Sequence, residues 1–189
     1  MNQEERMYVV GNQKIKVERE LTGQWILDIG GGGEGIIGLC YGNRVISIDP
    51  RIDELEEAPE EPLKIVMDAK ELSFLDNTFD SVTSFFTLMY IDNNYHEKVF
   101  KEIYRVLKDN GEFVLWDAMI PEYDGGIKDI FVIQLEIETP IRLIKTGYGI
   151  SRKDKVQDIE YFIDIGESIG FNVIKEEVRD KVFKIIFKK

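Results

Sequence analysis

The sequence predicts an α/β protein built on a doubly wound, mostly parallel sheet of seven strands with an antiparallel last strand. Short apolar runs recur between residues 25 and 118, and strands that read as continuously apolar are those covered by helices on both faces. Helical segments alternate with these runs, which is the pattern of crossover units. The final two runs, "FNVIKEEVR" and "KVFKIIFKK", are joined by a tight "RDK" turn that forces them antiparallel.

Taken in order, Met7 to Val10 and Ile15 to Glu18 are β-rich and flank "GNQK", so residues 1–20 are expected to form an N-terminal hairpin or a pair of edge strands. "WILDI" is a buried strand, "EGIIGLCY" a short helix stopped by Gly42, and "RVISID" a second strand ending in an acid. Together they make one βαβ unit with a right-handed crossover. The acidic "PRIDELEEAPEEP" supplies a helix turn and a loop interrupted by Pro59 and Pro62, and the run from Asp53 to Glu61 reads as a solvated face.

"LKIVMD" is a third strand and "FDSVTSFF" a fourth. "DNNYHEKVFKEIYRVLKDNG" is an amphipathic helix with Val99, Ile103, Val106 and Leu107 on one face, Asp92 or Asn93 as N-cap, and Gly111 at its end. "EFVLWDA" is the fifth strand. "IFVIQLEIETPIRLIKTGYGI" alternates apolar and polar residues over part of its length and reads as an inserted hairpin or partly helical flap, a lid over residues 120–150. The last helix, "KVQDIEYFIDIGESIG", follows it. At 189 residues with 43% hydrophobic content, one domain spanning 1–189 is expected.

The formal net charge of −12 gives a field that repels phosphate backbones and anionic lipids, which argues against nucleic acid and membrane partners. "MNQEERMYVV" lacks the basic and apolar regions of a signal peptide, and no apolar run approaches the roughly 18 residues of a spanning helix, so a soluble cytoplasmic protein is expected. The single cysteine, Cys40, permits neither an intramolecular disulfide nor a Cys-based zinc site and is read as core packing; no metal site is expected.

The chemistry concentrates at the loop after "WILDI", where Gly30 to Gly33 precede Glu34 and Gly35. The loop stands at the carboxyl edge of the sheet, where α/β folds bind ligands. Gly30, Gly32 and Gly35 satisfy G-x-G-x-x-G, a pattern that is weak alone. Asp28 discriminates: a carboxylate before the loop suits a cationic amine and repels a pyrophosphate. Asp49, ending the second strand, can accept both hydroxyls of a ribose. Asp68, followed by Ala69 after the third strand, can accept from an exocyclic adenine amine.

These segments, with "MDAKELSFLDNTFDSV" and "VFKEIYRVLKDNGEFVLWD", resemble over residues 24 to 118 the class I S-adenosylmethionine-dependent methyltransferases, in particular the methyltransferase type 11 group typified by quinone-biosynthesis C-methyltransferases. The resemblance implies a Rossmann-like fold and S-adenosyl-L-methionine as cofactor. It implies Asp28, Gly30 and Gly32 at the methionine end, Asp49 at the ribose, and Asp68 with Ala69 at the adenine; Gly31, Pro50 and Phe85 complete the expected cofactor set. One departure stands out: the usual D-x-G-x-G-x-G would put glycine at position 34, where this chain has Glu34. Either the loop carries an extra residue or Glu34 points outward.

A sulfonium already carries an activated methyl group, so no dedicated nucleophile is needed. The catalytic residue is left unassigned; Asp117, Tyr123 and His96 are the candidates for a general base, with His96 read first as a surface or capping residue and Asp80 as a cap or turn residue. Phe86, Tyr90, Trp116, Tyr123 and Tyr148 suggest an acceptor side for a small, partly apolar molecule. Neither an Asn/Asp-Pro-Pro-Tyr sequence nor a Pro-Cys pair is present, which removes the usual nucleic-acid methylation signatures. The alternatives are an NAD-binding oxidoreductase, on Gly30, Gly32, Gly35 and Asp49, and a non-catalytic S-adenosylmethionine-binding protein. A monomer or homodimer is expected.

Overall fold

The apolar runs pair into a seven-stranded sheet, seen in a computed structural model that describes residues 3–189. The strands are β1 (Met7–Lys16), β2 (Ile26–Ile29), β3 (Val45–Asp49), β4 (Leu63–Val66), β5 (Phe79–Phe85), β6 (Leu107–Ala118), β7 (Ile130–Glu138), β8 (Leu143–Ser151), β9 (Asn172–Arg179) and β10 (Val182–Lys188). The helices are α1 (Ile36–Tyr41), α2 (Ile52–Glu57), α3 (Asn93–Val106) and α4 (Ile159–Ile169). The order across the large sheet is β4-β3-β2-β5-β6-β10-β9. β2, β3, β4, β5 and β6 run parallel, and β10 is antiparallel to both β6 and β9. The order reverses between β2 and β5, which opens a crevice at their carboxyl ends.

Burial on both faces explains the continuous apolar strands. All four residues of β2 are buried. One face of the sheet packs on α3 and α4 through an aromatic cluster in which Phe100 stacks on Phe162 with centroids 6.1 Å apart. The other face packs Ile26, Ile37, Cys40 and Val45 into one cluster with Phe131, Ile133, Leu135 and Ile137 of β7. Cys40 is therefore core, as expected.

Two sequence expectations are corrected, at the N-terminus and at the end of α3. Residues 7–16 form one strand and no hairpin: β1 lies parallel to β7 in a separate three-stranded sheet, order β1-β7-β8. A hairpin would have paired the two halves only with each other, whereas β7 offers an apolar row onto which Val10 and Ile15 are buried. Gly11 and Asn12 become an irregularity in the register, and the Gln13 side chain reaches Asp180 Oδ2 at 3.0 Å on the β9–β10 turn.

Of the two alternatives for the 120–150 segment, the structure has the hairpin and no helix. Residues 130–151 are the β7–β8 hairpin, closed by a turn in which Thr139 N–H donates to Arg142 O at 3.1 Å. Asp129 at its foot takes two hydrogen bonds from the Arg6 guanidinium, at 2.8 and 2.7 Å.

Asp92 caps α3, its Oδ1 accepting from Asn94 N–H at 2.9 Å. The helix stops at Val106 and does not run to Gly111, because Leu107 already pairs with Phe79. Gly111 serves a close approach within β6, where a Cβ would stand 2.8 Å from Lys108 O.

Candidate active site

The chain turns back on itself as it leaves β2. Gly30 and Gly31 N–H both donate to Ile48 O, at 2.8 and 3.1 Å, and Gly33 N–H donates to Glu54 O at 2.8 Å. Gly30, Gly33 and Gly35 have φ of 71°, 56° and 49°, a region that L side chains rarely adopt. Gly32 is bare for another reason: a Cβ there would lie 2.5 Å from Glu54 Cβ and 3.1 Å from Asp49 Oδ2. The loop thus brings main chain up against the end of β3.

A cleft of about 490 Å³ opens beside it. Gly30, Gly32, Asp49, Pro50, Asp68, Ala69 and Phe85 all lie on its wall, brought together from the ends of β2, β3, β4 and β5. Asp49 Oδ1 accepts from Arg51 N–H at 2.9 Å, and Oδ2 takes no hydrogen bond among the described residues. Burial, the larger influence, raises the Asp49 carboxyl above its ordinary pKa. Asp68 is exposed and held by Lys70, through the backbone N–H at 2.9 Å and the ammonium at 3.1 Å.

Asp28 and Gly31 do not line this wall. Asp28 is buried beneath the loop, where it accepts from Thr83 Oγ1 at 2.7 Å. Burial pushes its carboxyl up to about 7 against the opposing effect of that hydrogen bond. Gly31 rests on Ser47 and Asp28, leaving no room for a Cβ. Both support the loop from below.

None of the general-base candidates reaches the cleft. Asp117 is fully buried and accepts from Met89 N–H, Ala118 N–H and Gln157 Nε2 at 3.1, 2.7 and 2.8 Å; burial pushes it up to about 7. His96 is a core residue, correcting the surface reading: Nε2 donates to Leu88 O at 2.9 Å, Nδ1 stands 3.0 Å from the Tyr161 hydroxyl, and burial pushes it down to about 4. Lys155, also buried, donates to Leu88 O at 3.2 Å and to Ile91 O. The cluster props the Leu88–Tyr90 turn and Ile91, part of the cleft wall, from behind. Tyr123 donates to Gly126 O, away from the site. Asp80 caps no helix: it lies in β5 and ties down the chain entering β2, its Oδ2 accepting from Gln24 and Trp25 N–H at 2.9 and 3.0 Å.

Of the aromatic residues singled out, Phe86, Tyr90 and Tyr148 line the cleft, and Trp116 and Tyr123 do not. Trp116 faces a separate cavity of about 230 Å³, with Lys184 5.2 Å over its ring. Tyr148 stands 5.7 Å from Phe86 and 6.4 Å from Tyr90, ring to ring. Burial pushes Tyr90 up to about 12 and raises Tyr148 further, helped by the Glu34 charge, so both hydroxyls stay protonated.

Sequence reasoning missed Glu54, which stood in an acidic run read as a solvated face, and Arg51 just before it, and left Glu34 open. Glu34 lines the cleft and accepts hydrogen bonds from the Thr146 and Tyr148 hydroxyls, the latter at 3.1 Å. Carboxylates outnumber cations on the wall, with Glu34, Asp49, Glu54, Asp68 and Asp92 against Arg51 and Lys70, which favours a cationic ligand. No helix among the described residues is long and apolar enough to cross a membrane.

Residues 27–115 match the family model described as methyltransferase domain. The chain is 32% identical over 177 residues to an uncharacterized protein of Methanocaldococcus jannaschii, a match covering 84% of this chain and 68% of that one. It is 38% identical over 66 residues to a sterol 4-C-methyltransferase of Caenorhabditis elegans, which takes in 34% of this chain and only 19% of that enzyme. A solved S-adenosylmethionine-dependent methyltransferase from Archaeoglobus fulgidus shares the fold with a TM-score of 0.65 at 17% identity, over 88% of this chain and 86% of its own. With the family match falling on the glycine loop and the strand ends that wall the cleft, residues 27–115 are a methyltransferase domain, set in a chain that has the fold of S-adenosylmethionine-dependent methyltransferases.

Proposed function

We propose that the chain transfers the methyl group of S-adenosylmethionine to a small, partly apolar acceptor. The observation that carries this reading is the pairing of a bare backbone at Gly32 with the unengaged Oδ2 of Asp49 at one end of a single cleft, and an aromatic wall of Phe86, Tyr90 and Tyr148 at the other. The residues fit the cofactor: the glycine turn presents main chain without side chains on the cleft wall at Gly30, Gly32 and Gly33, and Asp49 offers a carboxylate oxygen to a diol. When bound, the cofactor supplies an activated methyl group on a cationic sulfur.

The chain's own residues then have three tasks. Gly30 and Gly32 bring the main chain within reach of the amino-acid end, and Asp49 holds the ribose, with Asp68 and Ala69 beside the adenine. Phe85 and Phe86 exclude water from the middle of the cleft, which keeps the reacting atoms aligned. Tyr90 stays protonated and so acts as a hydrogen-bond donor toward an acceptor rather than as a base, while the Tyr148 hydroxyl donates to Glu34 and its ring walls the acceptor half.

Calorimetry with S-adenosylhomocysteine tests the cofactor half: saturable binding that Asp49→Ala weakens is expected, and absence of binding by the folded protein overturns it. A radiolabelled methyl-transfer screen against phenols, amines, sterols and carbon acids tests the acceptor half. Label transfer only to macromolecules overturns the small-molecule assignment.

A further inference from the structure

Glu34 occupies the one position where the glycine loop departs from the D-x-G-x-G-x-G spacing, and its two carboxylate oxygens are both engaged by the hairpin. Thr146 Oγ1 donates to Oε1, and Tyr148 Oη donates to Oε2 at 3.1 Å. The two donors lie two residues apart on β8, so the strand's period of two puts both hydroxyls on one face. That face, carrying Ile144, Tyr148 and Ile150, is the half-buried one; Leu143, Lys145, Gly147 and Gly149 face outward. On the loop side, Gly33 and Gly35 take left-handed backbone on either side of Glu34. The residue therefore stands at the apex of a reversal, and not in a regular element.

The hairpin otherwise meets the far wall of the cleft through the Tyr148 ring, which packs against Phe86 and Tyr90. Its β8 strand is an edge strand, paired only with β7. A carboxylate accepting two hydroxyl hydrogen bonds is a stronger tie than a neutral pair.

We infer that Glu34 is a positioning residue that couples occupancy of the cofactor loop to the seating of the β7–β8 hairpin, and thereby sets where Tyr148 stands in the acceptor half of the cleft. Ligand that orders the glycine loop holds Glu34 in place, Glu34 holds Thr146 and Tyr148, and the aromatic wall closes as one unit. The coupling is reciprocal, so a hairpin released from Glu34 lowers affinity at the cofactor end. The inference rests on the proposed cofactor reading.

Hydrogen exchange of the full chain, with and without S-adenosylhomocysteine, tests it. In the wild type, S-adenosylhomocysteine is expected to slow exchange in peptides covering residues 143–151. In Glu34→Ala, exchange there should be faster by about tenfold or more without ligand and should no longer respond to it, while peptides covering β2 and β3 stay as in the wild type. Glu34→Gln, which keeps an acceptor oxygen for one hydroxyl and offers an N–H to the other, should restore most of the ligand response. The double variant Thr146→Val, Tyr148→Phe should reproduce Glu34→Ala from the other side of the contact. Full ligand protection of 143–151 in Glu34→Ala, or unchanged exchange without ligand, overturns the inference. If calorimetry shows that the wild type does not bind S-adenosylhomocysteine, the cofactor reading and the coupling fall together, and the ligand-free arm still decides whether Glu34 seats the hairpin.

Discussion

The Thr83 hydroxyl donates to the Asp28 carboxylate at 2.7 Å, in the interior of the sheet and directly beneath the glycine loop. Burial pushes the Asp28 pKa up to about 7. An unfolded chain carries this carboxyl near 4, so between about pH 4 and 7 the folded protein holds a proton that the unfolded chain has released. The stability this group contributes is present at pH 4 and is lost as pH rises to 7. Asp28→Asn, which keeps a partner for Thr83, should therefore gain on the wild type as pH rises from 5 to 8, by on the order of 1 to 4 kcal/mol. Thermal unfolding at the two pH values checks this, and a constant difference between the proteins would refute it.

His96 behaves in the opposite sense. Its folded pKa is about 4, below the usual imidazole value of about 6.5, mainly through burial. Its contribution is present above about pH 6.5 and is lost as pH falls toward 4. His96→Gln should unfold less steeply with acid than the wild type. An NMR titration of the ring should show no midpoint between pH 6 and 7, and a pH–rate profile of any methyl transfer should carry no limb from this residue.

Asp49→Ala should weaken S-adenosylhomocysteine binding by about 1 to 3 kcal/mol, through lost charge-assisted hydrogen bonds. Asp49 is only half-buried and its one hydrogen-bond partner among the described residues is the Arg51 N–H, so the fold should be retained. Titration calorimetry reads the affinity and circular dichroism the fold; equal affinity would remove Asp49 from the site.

Two glycines of the loop should respond differently to substitution. At Gly32 φ lies outside the left-handed region and the obstacles are Glu54 Cβ at 2.5 Å and its backbone carbon and Asp49 Oδ2 at 3.1 Å, so Gly32→Val should displace Glu54 and Asp49 and lower S-adenosylhomocysteine affinity along with the melting temperature. At Gly30 the φ of 71° and the Thr87 side chain both oppose a Cβ, so Gly30→Val should cost stability first, by a few kcal/mol. Binding and melting temperature measured on both variants separate the two cases.

The strand ends were legible because each acid closes an apolar run: Asp49 and Asp68 could be placed on the cleft from order and spacing. Asp28 was read as facing a ligand, since a one-dimensional pattern does not say which side of a turn a strand residue takes; the pleat turns it under the loop, toward Thr83. His96 was read as a surface residue because it lies early in a helix whose neighbours Asn93, Asn94 and Glu97 are polar. Its ring is buried by Phe162, which arrives from α4, 66 residues further along the chain.

The sequence by itself determined the parallel sheet, its antiparallel final strand and the position of the glycine turn, because these follow from local apolar period, from a short connection and from backbone freedom at glycine. Only the tertiary structure decided that β1 joins β7, that Asp117 and His96 stand behind the wall and off the cleft, and that Glu34 meets Thr146 and Tyr148. Each of these pairings joins residues more than a hundred positions apart or depends on which face of an element meets its neighbour. Such choices are made by packing, when competing partners are compared in space.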